Sequence, residues 1–217
     1  MNGLRRSMLL VMMSAAPAIA AEGKWEYLLE SPLASLWTSA SGGAPGKGWL
    51  LEDSMLHRVS GSGDLISKAR YTDFELEFEW KISKRGNSGV KYRVRKKGPA
   101  WIGAEYQVLD NERHPNGRTD DQRAGSLYDV VAAKKGADKP AGEWNRSKIV
   151  VKGESIVHWL NGEKVVEVDL GSEQWRKLKS DSKFSKVVDF AAAEPGRLLV
   201  QDHGDEVWFR AMRIRPL

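Results

Sequence analysis

An all-β fold built as an antiparallel sandwich is what this sequence predicts, and three observations carry that expectation. Phe74 to Ile82 (FELEFEWKI) alternates apolar and charged residues for nine positions, the period of a strand with one face buried. Asn161-Gly162 sits between two alternating runs, Ile156 to Leu160 and Lys164 to Val168, and Asn-Gly is the strongest short hairpin signal. Short strand-like runs separated by Gly, Asn and Asp turns fill the chain from Trp49 onward, whereas helical periodicity is confined to Ser172 to Lys179.

The remaining elements follow in order. Gly86-Asn87-Ser88-Gly89 reads as a turn, after which Val90 to Arg95 resumes the alternation. Ala104 to Leu109, Ser126 to Ala132 and Ser147 to Lys152 read as further strands. Arg197 to Gln201 and Val207 to Ile214 close the chain, joined by a turn at His203-Gly204-Asp205. Two stretches stay irregular: Ala40 to Lys47, rich in glycine and small residues, and the very polar Asp110 to Ala124. Loops of that length in a compact domain are usually functional or mobile.

Composition narrows the possibilities. The first residues resemble an export signal: Arg5 and Arg6, an apolar run from Met8 to Ala16, then Ala18-Ile19-Ala20 as the cleavage motif. Residues 1–21 are therefore expected to be removed, leaving 22–217 as one periplasmic or secreted domain without a membrane span. With no cysteine, disulfides, thiolate metal sites and a cysteine nucleophile are excluded. The net charge of +5 falls to +3 once Arg5 and Arg6 are removed (32 basic against 29 acidic residues). Acidic and basic residues are interleaved, so no nucleic-acid partner is expected.

The common catalytic strings, GxSxG, the Walker A loop, GxGxxG and HExxH, do not occur. Strand parity is more informative. With Phe74, Leu76, Phe78, Trp80 and Ile82 facing the core, Glu75, Glu77, Glu79 and Lys81 face the other way. With Val90, Tyr92 and Val94 inward, Lys91, Arg93 and Arg95 take the polar side; Glu105 and Gln107 join them opposite Tyr106 and Val108. Gln201 and His203 share a face opposite Val200 and Asp202. A wet sheet face accounts for any one of these residues. Together, a carboxylate, amides, an arginine and a histidine would suit the hydroxyls of a sugar. Among nine tryptophans, Trp80 and Trp159 read as core, and Trp101 and Trp144 as exposed platforms for a ring.

Several blocks in series resemble a known family: Phe74-x-Leu-x-Phe-x-Trp-Lys81, Gly86-Asn87-Ser88-Gly89-Val90, and Glu105-Tyr106-Gln107-Val108-Leu109-Asp110. Gly125-Ser126-Leu127-Tyr128-Asp129, Glu143-Trp144-Asn145, His158-x-x-Asn161-Gly162, Ser182-Lys183-Phe184 and Leu199 to Asp205 follow. The chain is similar in this to the 3-keto-disaccharide hydrolase domain family over about residues 25 to 217. The resemblance implies a concanavalin A-like jelly-roll sandwich of two curved antiparallel sheets, with a carbohydrate substrate on the concave one.

The activity so implied is cleavage of a 3-keto-glycoside. The C3 ketone acidifies the C2 hydrogen, a base removes it, the C1 substituent departs, and water adds to the enone. Glu105 or His203 is expected as the base. Glu79, Lys81, Asn87, Arg93, Gln107, Tyr128, Trp144 and Gln201 are expected around the substrate. A divalent cation (Ca, Mg or Mn) on Glu105 and Asp110 could polarise the ketone, although no ligand spacing demands one. Two other readings stay open: ordinary hydrolysis by the carboxylates Glu79 and Glu105, and a non-catalytic lectin-like module.

Overall fold

The computed structural model describes residues 23–217; the expected export signal lies outside the described residues. Thirteen strands form the framework of the described residues. The first five are β1 (Glu26–Tyr27), β2 (Trp37–Ser39), β3 (Trp49–Glu52), β4 (Met55–Arg58) and β5 (Leu65–Ser67). The long central strands are β6 (Phe74–Ile82), β7 (Asn87–Lys97) and β8 (Ala100–Leu109). They are followed by β9 (Asn145–Lys152), β10 (Ser155–Leu160), β11 (Glu163–Asp169), β12 (Arg197–Val200) and β13 (Val207–Pro216). One helix, α1 (Glu173–Asp181), precedes β12, and the Ser172 hydroxyl caps it by accepting from Trp175 N.

All pairings are antiparallel, and the strands divide into two sheets. The larger has the order β11-β10-β9-β6-β13-β4-β3, with β1 also paired to β13; the smaller has the order β2-β5-β12-β7-β8. Every apolar residue of β6 is at most 1% exposed, and its charged residues alternate outward. Between the sheets these side chains meet Val90, Tyr92, Tyr106 and Val108 from the smaller sheet in one core. A fully buried aliphatic or aromatic side chain of this kind contributes about 1.5–3 kcal/mol.

A thread of hydrogen bonds crosses that core. Trp80 Nε1 donates to Ser147 Oγ (2.8 Å), Ser147 to the Tyr106 hydroxyl (2.7 Å), and Tyr106 to the carbonyl of Trp159 (3.2 Å). His158 is wholly buried, between the Gly125 carbonyl (2.9 Å) and the Tyr92 hydroxyl (2.8 Å). Since the carbonyl can only accept, Nδ1 carries the proton and Nε2 accepts from Tyr92. Burial keeps the ring neutral and lowers its pKa to about 4.

Three elements differ from the sequence expectation. Asn87 to Gly89 lie within β7; the turn is made one step earlier, with Arg85 at positive φ and Gly86 N bonded to Ser83 O. Residues 126–132 form no regular strand, but Gly125, Ser126 and Tyr128 bond the backbone of Gln107 and Glu105 and so cover the edge of β8. The third difference is at Arg93, where a bulge with φ of 50° inverts the alternation of β7. Beyond it Val94 lies on the outer face of the smaller sheet, clustered with Ile66 and Leu199. Arg93 is buried, and it donates to Thr72 O (3.1 Å), Ala191 O (3.1 Å), Gly153 O (2.7 Å) and Asp73 Oδ1 (3.2 Å).

The neutral state of His158 has a consequence for acid stability. Its folded pKa lies below the unfolded value of 6.5, so the unfolded chain binds the extra proton between pH 6.5 and about 4. Stability from this group is complete above pH 6.5 and is lost as pH falls through that window, by at most roughly 1.4 kcal/mol per pH unit. Urea unfolding of the protein and of His158→Gln at pH 7.0, 5.5 and 4.5 is expected to show the wild-type advantage shrinking with acid. A pH-independent difference would mean that His158 is not held neutral.

Candidate functional site

The register of the smaller sheet assembles a polar site on its outer face. Lys91 pairs with Glu105 and Gly89 with Gln107 across β7 and β8. Val90 and Tyr106, one residue on in each strand, point into the core. Glu105 is 6% exposed, and its carboxylate lies 3.4 Å from the Lys91 ammonium. Burial raises its pKa; the positive charges of Lys91, Lys183 and His203 act against that rise. The carboxylate is seated directly beside Gly89, where a Cβ would come within 2.5 Å of its Oε1, so a side chain at this position would displace the carboxylate.

Loops complete the surroundings. Tyr128 N donates to the Glu105 carbonyl (3.0 Å), and the Lys183 ammonium stands 3.9 Å from the Tyr128 ring centroid. Lys183 N is tied to Asp129 Oδ2 (2.9 Å), and burial lowers the pKa of its ammonium while Glu105 and Asp129 raise it. On the other side, Gln201 N donates to Gly89 O (2.9 Å), which brings Gln201 beside the Gly89–Gln107 pair. Asp202 fixes this loop by accepting from Arg58 Nε (2.7 Å), Ser62 N (2.7 Å) and Gly63 N (2.9 Å). Although burial opposes it, these donors hold the Asp202 carboxyl below the usual range. Asp64 accepts from Asp202 N (2.8 Å), and burial raises its pKa, with Lys91 and His203 opposing.

Two acceptors in this site lack a partner. Gln107 Oε1 and Gln201 Oε1 are buried without a hydrogen-bond donor among the described residues. An unpaired buried carbonyl costs free energy, and a ligand hydroxyl would relieve that cost.

The sequence-predicted residues divide accordingly. Glu105, Gln107, Gln201, Tyr128 and the exposed His203 converge on this face, and Asn87 lies two residues along β7 from Gly89 on the same side. Glu79, Lys81 and Trp144 do not join them, because they belong to the outer face of the larger sheet. There Glu79 pairs with Arg210 (2.7 Å), Lys81 lies over Trp208, and Arg210 covers Trp144. Trp159 also faces outward there, half-buried beneath Lys148. Arg93 is spent inside the fold, since the bulge turns it away from the parity of Lys91. Asp110 caps a loop: Oδ2 accepts from Arg85 N (2.7 Å) and Oδ1 from Glu112 N and Arg113 N. Its oxygens are thus engaged with backbone donors, and the Glu105–Asp110 pair does not fit a cation. No group of three or more His, Cys, Asp or Glu side chains placed to hold a metal occurs among the described residues.

Parity placed Lys91 on the polar side without marking it as a site residue, and Lys183 lay within the Ser182-Lys183-Phe184 block. Asp64 carried no sequence signal; only folding brings it to Asp202 and Lys91.

The fold is that of a galectin-like or jelly-roll sandwich. A Bacillus subtilis protein with a galectin-like fold aligns with a TM-score of 0.55 at 12% identity, covering 90% of this chain and 97% of its own, a likeness of fold alone. Closer in sequence is a structure from Parabacteroides distasonis, a candidate glycosyl hydrolase, with a TM-score of 0.79 and 30% identity over 89% of this chain and 94% of that one. A Bacteroides thetaiotaomicron protein named 3-keto-disaccharide hydrolase is 39% identical over 204 residues, spanning 78% of this chain and 70% of that protein. Residues 24–215 match the 3-keto-alpha-glucoside-1,2-lyase-like domain, and the chain belongs to that family.

The Lys91–Glu105 pair can be tested without reference to any reaction. Removing the ammonium in Lys91→Met is expected to move the Glu105 titration to higher pH, read from the carboxyl carbon by NMR. An unchanged titration would show that Lys91 does not act on this carboxylate.

Proposed function

We propose that the protein cleaves 3-keto-glycosides by removing the C2 proton and releasing the C1 substituent. The observation that carries this reading is the buried Glu105 carboxylate, set between Lys91 and Lys183 and beside two unpaired glutamine carbonyls. Glu105 serves as the base. Burial raises its proton affinity, and the adjoining ammonium groups keep an ionised fraction available. Proton transfer from C2 to Glu105 leaves an enolate whose charge rests on the C3 oxygen, and the cationic Lys183 is the nearby group suited to stabilise it. As the C1–O bond breaks, the departing oxygen takes a proton, for which the exposed His203 at the rim is suited. Water then adds its hydroxyl to C1 and a proton to C2, so the net change is hydrolysis. Gln107 and Gln201 accept from sugar hydroxyls and orient the ring.

Family membership and the named Bacteroides relative support glycoside cleavage as the activity. Hydrolysis by Glu79 and Glu105 has no support in the geometry. The two carboxylates sit on the outer faces of opposite sheets, which pack about 10 Å apart between backbones. The ordinary two-carboxylate mechanism needs separations of roughly 5 to 9.5 Å across the scissile bond. The basic and apolar opening of the sequence supports a place of action outside the cytoplasm.

The decisive assay follows a 3-keto-glucoside and its unoxidised parent in parallel, with and without EDTA, for the protein and for Glu105→Gln. Selective cleavage of the keto sugar is expected, reduced at least about 100-fold in the variant. The acid limb of kcat/KM should lie above pH 4.5, since the base must be ionised and its pKa is raised. Undiminished turnover by Glu105→Gln would remove Glu105 from the reaction. Binding of both sugars without cleavage would make the protein a lectin-like module.

A further inference from the structure

The outer face of the smaller sheet carries a second feature, at the opposite end of the row that holds Glu105. Ile66, Leu199, Lys91 and Glu105 are successive register partners across β5, β12, β7 and β8. Three strand spacings separate the first from the last, roughly 14 Å. Between the Ile66 end and the tip of the β7–β8 hairpin lies a groove of about 290 Å³, bordered by Ser41, Ile66, Lys68, Lys96, Trp101 and Arg197. The Trp101 ring is pinned there by its Nε1 bond to Ala40 O (2.8 Å), with the Lys96 ammonium 5.7 Å from its centroid.

The charge of this groove is one-sided. Among the described residues, three cations border it and no carboxylate does. Among the described residues, none of Lys68, Lys96 and Arg197 takes part in an ion pair, in contrast to the matched ladder on the larger sheet. Arg197 directs Nη1 to the carbonyls of Ser67 and Lys68, but its Nε is buried and has no partner. Burial lowers the pKa of that guanidinium, and Arg70 adds a repulsive charge. A buried unpaired donor among uncompensated cations is relieved by an anion.

We propose that this groove binds an anionic group on the portion of an oligosaccharide that extends away from Glu105, a uronic-acid carboxylate or a sulfate ester. The inference rests on the reading of Glu105 as the cleavage site. The separation of roughly 14 Å lies beyond a monosaccharide and within the reach of a short oligosaccharide. Trp101 offers a half-buried ring for a sugar face, and the cations select the charge.

Calorimetric titration is the test, with three probes: a neutral trisaccharide, the same trisaccharide ending in a uronic acid, and its sulfated form. Each is titrated into the protein and into Lys68→Ala/Lys96→Ala, at 50 and 300 mM salt. Binding of an acidic probe about tenfold tighter than the neutral one is expected, with the gain lost in the variant and at high salt. Which acidic probe binds tighter identifies the source of the charge. Turnover of a small neutral 3-keto-glucoside should be unchanged in the variant. Equal affinity for neutral and acidic probes would overturn the proposal, even if that turnover is found. Acid selectivity without turnover of any keto sugar would leave the groove standing and sink the cleavage reading.

Discussion

Pairing of β7 with β8 is the constraint on which the site depends. Lys91 opposite Glu105 and Gly89 opposite Gln107 place an ammonium, a carboxylate, a gap and an amide on one face. A slip of one residue would turn all of them into the core and bring Tyr92 and Tyr106 to the surface. The register is held from both sides. The aromatic rings of Tyr92 and Tyr106 are locked by His158 and by the Ser147 thread, and the 125–128 segment bonds the far edge of β8. Past Lys91 the parity ends in a bulge, and the Arg93 guanidinium fixes that bulge through four acceptors drawn from three separate segments. Gly196 lies against the Arg93 backbone too closely to admit a Cβ, so β12 can approach the bulge only as glycine.

The two outer faces handle charge in opposite ways. On the larger sheet Glu75, Glu77 and Glu79 of β6 each meet an arginine of β13, as Arg215, Arg213 and Arg210. Such surface pairs are worth little individually, but together they neutralise the face. Glu77, with hydrogen bonds and charge from Arg213 outweighing its burial, is held below the usual carboxylate range. Glu105 shows the reverse. It is buried, its nearest cation stands at 3.4 Å, and its pKa is raised. A carboxylate kept at hand but incompletely compensated suits proton transfer, whereas one fully matched by guanidinium suits structure.

Much of this arrangement was legible in the sequence, because strand parity is a local property. The nine-residue alternation of β6 and the Glu105–Gln107 spacing needed nothing beyond period two, and the Asn161-Gly162 turn followed from two residues that tolerate positive φ. Parity failed where it had to be extrapolated. Carried through Arg93, it put a guanidinium on the wrong side, because a bulge inserts one residue and nothing in KYRVRKK announces it. Parity also assigns a residue to one face or the other of its own sheet without saying which sheet. Glu79 and Glu105 were both outward, and only the strand order separates them by the thickness of the core. Asp110 misled for a different reason. An aspartate at a strand end serves backbone donors as readily as a ligand, and three N–H groups claim this one.

Chain connectivity explains why the site needs loops so far apart in sequence. β8 is the edge of the smaller sheet, so a ligand resting on Glu105 would meet open backbone on one side. The segment from Gly125 to Tyr128 closes that side by taking the edge hydrogen bonds, and it carries the Tyr128 ring into place. Asp129, at positive φ, then binds Gln122 through one oxygen and Lys183 N through the other, which joins the loop before β9 to the segment after α1. On the opposite side Asp202 joins the 201–205 turn to Arg58 of β4 and to the 62–63 turn. Each carboxylate collects backbone donors from a segment distant in sequence. The positions of Lys183 and His203 relative to Glu105 therefore depend on two aspartates that themselves take no part in the proposed chemistry.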